Sequence, residues 1–242
     1  MTLVPTKALV LQAKDSGDAD RLVTFFTEDQ GVIQLFARHV RRARSPMAGT
    51  VQPFAFLEIT YDNGKSRSLR QCSLLEPFAH MRQDLMAMAY GAVVAEIVVQ
   101  FWPEGEGEPD LLYQLLAIFR LMQERNPRLV SLAAGWQLLQ RAGFGPELSE
   151  CVHCHNRVEL PCHFSSQLGG TVCKDCATGE AFLLSEKVYE LLLTLLSLDF
   201  DNPSHFVIIG SDLMQLEKLF LDYLTCHLDR PLKSLNFIHS IA

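Results

Sequence analysis

Cys151, Cys154, Cys173 and Cys176 form two Cys-x-x-Cys pairs separated by 18 residues. A Cys-x-x-Cys turn aims two sulfurs at one point, and two such turns complete a tetrahedral thiolate shell about 2.3 Å from a zinc ion. The spacing is that of a zinc ribbon. Four protein ligands leave no open coordination position, so the expected cofactor is one structural Zn2+. Two other readings stay open: a ligand taken from His153, His155 or His163, or a degenerate site that holds no metal. Gly169–Val172 reads as a turn and strand delivering the second pair. Cys72, Cys162 and Cys226 fall outside the pattern and read as buried thiols. Seven cysteines, an odd number with no disulfide-like framework, point to a reducing compartment, and the N-terminus does not read as a secretory signal.

A second constellation is basic. Arg38, Arg41, Arg42 and Arg44 stand within seven residues. Guanidinium forks take phosphate oxygens in pairs, so this run could grip a nucleic-acid backbone. Lys65, Arg67 and Arg70 could extend the surface. The bland alternative is a solvated loop. Phe36 and Tyr61 could stack on bases, but both are expected in the core. Catalytic signatures are missing: there is no Gly-x-Ser-x-Gly, no His-Glu-x-x-His and no phosphate-cradling glycine loop.

The elements that would position these groups change type along the chain. Five strands are expected at Lys7–Ala13, Arg21–Thr27, Val32–Arg38, Val51–Tyr61 and Ser66–Leu75, rich in β-branched and aromatic residues. Five short strands in about 75 residues fit a small closed barrel of the OB type, and an SH3-like barrel gives a similar string. Beyond Pro77 the apolar period becomes helical, with helices at Ala79–Phe101, Pro109–Gln123, Leu129–Ala142, Ser185–Leu198 and Ser211–His227. The Gly-Glu run at 104–108 reads as a solvated loop, and the tail after Pro231 as short. The expected fold is a multi-domain α+β one. A five-stranded OB barrel covers 1–78, and an all-α domain covers 79–242 with a zinc-ribbon insert at 149–180.

The chain has 242 residues and a net charge of −7. The charge is uneven. Residues 1–80 carry 10 basic and 8 acidic side chains, and the rest carry 11 and 20. A local basic surface can therefore exist on an acidic protein. The longest run without Asp, Glu, Lys or Arg is Leu160–Cys173, 14 residues, too short for a transmembrane helix of about 20. No membrane partner is expected.

Residues 20–60 resemble the RecO family of bacterial recombination mediators. The likeness is carried by Phe25-Phe26-Thr27-Glu28-Asp29-Gln30-Gly31-Val32-Ile33, Ala37-Arg38-His39-Val40-Arg41-Arg42, Ser45 and Gln52-Pro53-Phe54, with Asp20 before the second strand. The order of barrel, helical domain and inserted ribbon is similar to the zinc-bearing members. The family often has glycine where His39 stands, and this chain is acidic overall. The resemblance implies a non-enzymatic DNA repair and recombination protein. It would bind single- and double-stranded DNA and anneal complementary strands. With a RecR-like partner it would help load RecA onto DNA coated by single-strand-binding protein, whose acidic C-terminal tail it would contact. It implies a bacterial cytoplasmic, nucleoid-associated location. It also makes Arg38, Arg41, Arg42 and Arg44 the leading DNA contacts. Two other classes remain: a protein-interaction adaptor with a structural zinc and no intrinsic DNA affinity, and a zinc enzyme, which would need an open coordination position.

Overall fold

The computed structural model describes residues 3–42, 45, 47–64, 67–179, 181–204, 208–228 and 230–241. Its first five strands are β1 (Leu3–Ser16), β2 (Asp20–Thr27), β3 (Gly31–Ala37), β4 (Phe56–Asp62) and β5 (Ser68–Glu76). They close in the order β1-β2-β3-β5-β4. All pairings are antiparallel except β3 with β5, which meet in parallel at Phe36 and Ser68. This is the Greek-key barrel of the OB type. Strand side chains alternate between faces. Val23 and Phe25 on β2, Ile33 and Leu35 on β3, and Leu57 and Ile59 on β4 thus fill one buried interior.

β1 serves two neighbours, which explains why it outruns its expected span. Leu3–Leu9 pair with β4 and Ala8–Ser16 with β2, so Asp15 and Ser16 join the ladder instead of a turn. Its register shifts between Val10 and Gln12, a bulge that moves the inward-facing positions from Ala8 and Val10 to Ala13. β4 starts five residues later than expected. Phe54 takes a left-handed conformation, φ 68°, which interrupts the run. Its N–H donates to Val10 O at 2.8 Å, and Val10 N–H returns a bond to Ala55 O at 2.9 Å.

The barrel's outer face is partly covered by α1 (Ala79–Gln83), α2 (Leu85–Phe101) and α3 (Pro109–Glu124). Phe119 packs edge-on against Phe54 and Phe78, with centroids 5.2 and 5.9 Å away. The single helix expected over 79–101 is two. Asp84 lies between them in extended conformation, and its carboxylate accepts from Met86 N and Ala87 N at 2.8 and 2.9 Å, capping α2. The tail expected to be short is a helix, α7 (Lys233–Ile241), packed on α2. There Glu96 Oε2 accepts from Ser234 N and Oγ at 3.1 and 3.0 Å.

Two compact units emerge: Met1–Ser131 with Leu232–Ala242, and Leu132–Pro231. Strands do give way to helices between Glu76 and Ala79. By packing, α1, α2, α3 and α7 group with the barrel. The dividing point falls inside α4 (Pro127–Leu139).

In the second unit, Trp136 of α4 stacks near Phe220 and Tyr223 of α6 (Gly210–His227), at 5.1 and 5.0 Å. Ser185 caps α5 (Glu186–Leu196) through Val188 N at 3.3 Å. A three-stranded sheet, β7-β6-β8, is built from β6 (Cys162–Ser165), β7 (Gly170–Val172) and β8 (Phe182–Leu184). β8 lies past residue 180, so the ribbon sheet extends beyond the expected insert.

Candidate metal centre and nucleic-acid interface

The Cys151–Cys154 turn closes on itself. Cys151 N donates to Asn156 O and His155 N to Cys151 O, both at 2.8 Å. His155 takes φ 59° to make this turn. The Cys173–Cys176 turn does the same, with Cys176 N and Ala177 N donating to Cys173 O at 3.1 and 2.9 Å. The two turns are tied together just upstream of Cys173. Val152 N donates to Thr171 O at 2.9 Å, and Thr171 Oγ1 to Glu150 O at 3.0 Å. Glu147 braces the approach. Its carboxylate accepts from Ser149 Oγ and Ser149 N at 2.6 and 2.7 Å, which holds it below its ordinary pKa.

The four sulfurs consequently lie within 4.8 Å of one another, with Cys154 and Cys173 at 3.8 Å. A tetrahedral shell with metal–sulfur bonds of about 2.3 Å needs sulfurs about 3.8 Å apart, so the donors fit a thiolate-bound metal ion. Charge leads to the same conclusion. Burial works against ionising Cys151, but the backbone N–H groups of Cys154, Cys173 and His153 outweigh it and lower the thiol to about 6. Cys176, hydrogen-bonded to Cys173 and desolvated, is pushed up to about 12. One sulfur is thus poised to ionise while another is held protonated by its neighbours, so all four can be thiolates only with a cation among them. His153 stands outside the sulfur cluster, with Nδ1 3.7 Å from Cys176 Sγ. His163 is on β6, paired with Val172 and Leu183. Cys162 is buried and Cys72 half-buried, but Cys226 is exposed. It lies off the buried stripe of α6 that runs through Leu216, Leu219, Phe220 and Tyr223.

The connection after β3 carries the arginines. His39, at the position where glycine was noted, takes the left-handed conformation, φ 56°. Its N–H donates to Asp20 Oδ1 at 2.7 Å, so a non-glycine residue holds this turn with help from Asp20. Val40 plugs the barrel interior. Arg41 N donates to Ala19 O at 3.0 Å and Nη1 to Gly17 O at 2.9 Å, while Nη2 pairs with Asp15 at 3.2 Å. Arg21 holds the other oxygen of Asp15. Arg41 is therefore a clamp between the β1–β2 turn and this connection. Arg38 and Arg42 are exposed beside it. Arg44 and Lys65 lie outside the described residues.

Arg67 and Arg70 are already paired. Arg70 meets the buried carboxylate of Asp62 at 2.7 Å, and Arg67 grips both oxygens of Glu104. Phe36 N donates to Arg67 O at 3.0 Å, which sets the start of β5 beside the end of β3, two residues from Arg38. Tyr61 is in the core as expected. Phe36 is not; it is 42% exposed. The alternation Ile33 in, Gln34 out, Leu35 in, Phe36 out was the signal for this. Glu104 carried no sequence signal, because its run reads as a solvated loop.

No helix among the described residues is long and apolar enough to cross a membrane. Two family descriptions match the chain: Recombination protein O N terminal over residues 1–79, and Recombination protein O C terminal over residues 82–236. Among curated relatives, the DNA repair protein RecO of Pelotomaculum thermopropionicum is 30% identical, covering 98% of this chain and 94% of the relative. That of Desulforudis audaxviator is also 30% identical, covering 98% and 96%. That of Caldanaerobacter subterraneus subsp. tengcongensis is 28% identical over the full length of both chains. Matched over both halves by these descriptions and along 98% of its length by these relatives, the chain belongs to the RecO family.

Proposed function

We propose that this protein is a recombination mediator in DNA repair and not an enzyme. The barrel holds single- and double-stranded DNA through the connection bearing Arg38, Arg41, Arg42 and Arg44, and the protein anneals complementary strands. With a RecR-like partner it helps load RecA onto DNA coated by single-strand-binding protein, whose tail it contacts. It works in the bacterial cytoplasm at the nucleoid. One observation carries this reading: a closed OB-type barrel with exposed arginines at the end of β3, in a chain matched to the family over both halves.

The metal is one Zn2+ held by Cys151, Cys154, Cys173 and Cys176. When bound, it supplies a cross-link between the two turns and, with four protein ligands, leaves no place for a reacting water. Metal analysis should give about one zinc per chain, and Cys151→Ser should lose both metal and the ribbon's hydrogen-exchange protection, since metal binding supplies folding free energy.

The DNA reading is tested by anisotropy of a labelled single strand at several salt concentrations. Arg41 has a structural task, so the clean variant is Arg38→Ala with Arg42→Ala. It should bind more weakly, and the salt slope should flatten by about 0.7 per lost phosphate contact. An unchanged slope in the folded variant would remove these arginines from the site. Three of the named basic side chains already hold carboxylates, and this favours the adaptor as second reading. It predicts partner capture with no oligonucleotide binding at any salt.

A further inference from the structure

The acidic segment between α2 and α3, Glu104-Gly105-Glu106-Gly107-Glu108, is seated on the barrel. Trp102 O accepts from Val32 N at 3.1 Å, and Gly105 N donates to Gln30 O at 2.9 Å. Two glycines make the seat possible. A Cβ on Gly31 would stand 2.7 Å from Pro103 O, and one on Gly107 would stand 2.5 Å from Gln30 N and closer still to the Asp29 carbonyl. The seat delivers Glu104 to Arg67. Each group shifts the other: the guanidinium holds the Glu104 carboxyl below its ordinary range, and the carboxylate raises Arg67.

The pair closes over the least zipped seam of the barrel. Among the described residues, β3 and β5 pair in register only at Phe36 and Ser68. Along that edge of β3, Val32 N bonds to Trp102 and Phe36 N to Arg67. The Phe36 ring stands on the outer face, with Arg38 following it. A guanidinium fork that holds two oxygens of an anion, one backbone hydrogen bond across the seam from a residue with an exposed ring, has on an OB-type barrel the components of a nucleotide subsite: a fork for phosphate and a face for the base.

We propose that Glu104 occupies the phosphate position of a single-strand DNA subsite formed by Arg67 and Phe36, and that the DNA backbone displaces it on binding. This rests on the DNA-binding reading above. The pair is built to exchange. Its side chains are 38% and 43% exposed, and an ion pair so open to water is cheap to break. The Phe36 ring favours DNA over an acidic peptide, which would use the fork alone.

The test is a mutant cycle read by anisotropy of labelled oligothymidylate at several salt concentrations, using wild type, Glu104→Gln, Arg67→Ala, the double variant and Phe36→Ala. Glu104→Gln should bind about two- to fivefold tighter at low salt, the equivalent of one exposed ion pair no longer broken. Its salt slope should steepen by about 0.7, one phosphate contact on a single strand. The gain should vanish when Arg67 is alanine. Phe36→Ala should weaken binding at least about fivefold, the lower end of one base stack. An equal gain with and without Arg67 would mean a general charge effect and overturn the subsite, as would an unmoved affinity in Phe36→Ala. If wild type binds with a steep salt slope and the cycle shows no coupling, the subsite alone fails. If neither wild type nor Glu104→Gln binds at any salt, the DNA-binding reading fails with it.

Discussion

Replacing Gly107 with alanine measures how firmly the acidic segment is seated. The new Cβ would stand 2.5 Å from Gln30 N, where ordinary contact begins at 3.4 Å. The facing atoms are backbone, which cannot rotate aside, so segment and turn must part by at least about 0.9 Å, the difference between these distances. Gly105 N to Gln30 O then opens from 2.9 Å to about 3.8 Å, beyond hydrogen-bonding range. The loss is about 1 kcal/mol for that bond and about 0.5 kcal/mol for the exposed Glu104–Arg67 pair. Alanine also stiffens the unfolded chain, which offsets about 0.5 kcal/mol. Gly49→Ala shares that offset without a clash, since nothing lies within 4 Å of its Cβ position. The two variants should therefore differ by about 1.5 kcal/mol in urea unfolding, with Gly107→Ala the weaker and deprotected at the Gly105 amide in hydrogen exchange. Equal midpoints and unchanged exchange would show that the segment does not rest on the turn.

Two further outcomes follow from packing and charge. In Gly135→Ala, helix propensity gains about 1 kcal/mol, but the Cβ would stand 2.9 Å from Phe220 Cε2 and nearer to Cζ, in the densest aromatic cluster of the second unit. Overpacking of about 1–3 kcal/mol should win, and calorimetry should show a lower Tm. Asp62 titrates below its ordinary value because Arg70 and the Gly64 N–H bond its carboxylate. A depressed folded pKa gives stability that is fully present above the unfolded value of 3.8 and lost as pH falls through the folded one. The urea midpoint gap between wild type and Arg70→Ala should therefore be widest near neutrality and close below about pH 4; a constant gap would show that Arg70 acts by packing.

The cysteine spacing and the five strands were legible because each rests on a local rule: two sulfurs per turn, side chains alternating across a strand. What was illegible depended on contacts far along the chain. Asp84 is one acidic residue among many until the helix around it is seen to restart. The stretch at 104–108 has the composition of a solvated loop, and only the missing Cβ atoms at Gly31 and Gly107 allow it to dock. α7 was hidden because Pro231 reads as a terminator, while the partner that makes the helix worth forming, Glu96, lies 138 residues away. Phe36 was misplaced for a different reason. Aromatic content outweighed the alternation that put its neighbours inside.

The return of α7 to α2 has a consequence for synthesis. The first unit is interrupted by the 100 residues of Leu132–Pro231 and closes only when Leu232–Ala242 leaves the ribosome. At roughly 5–20 residues per second, the 141 residues that follow Phe101, through Ala242, leave the α2 surface beneath α7 bare for about 7–28 s after its own helix is made. A chain stopped before Leu232 would keep all four cysteines and the whole barrel yet leave that surface open for good, so the damage of such a truncation would appear in the unit that was translated first.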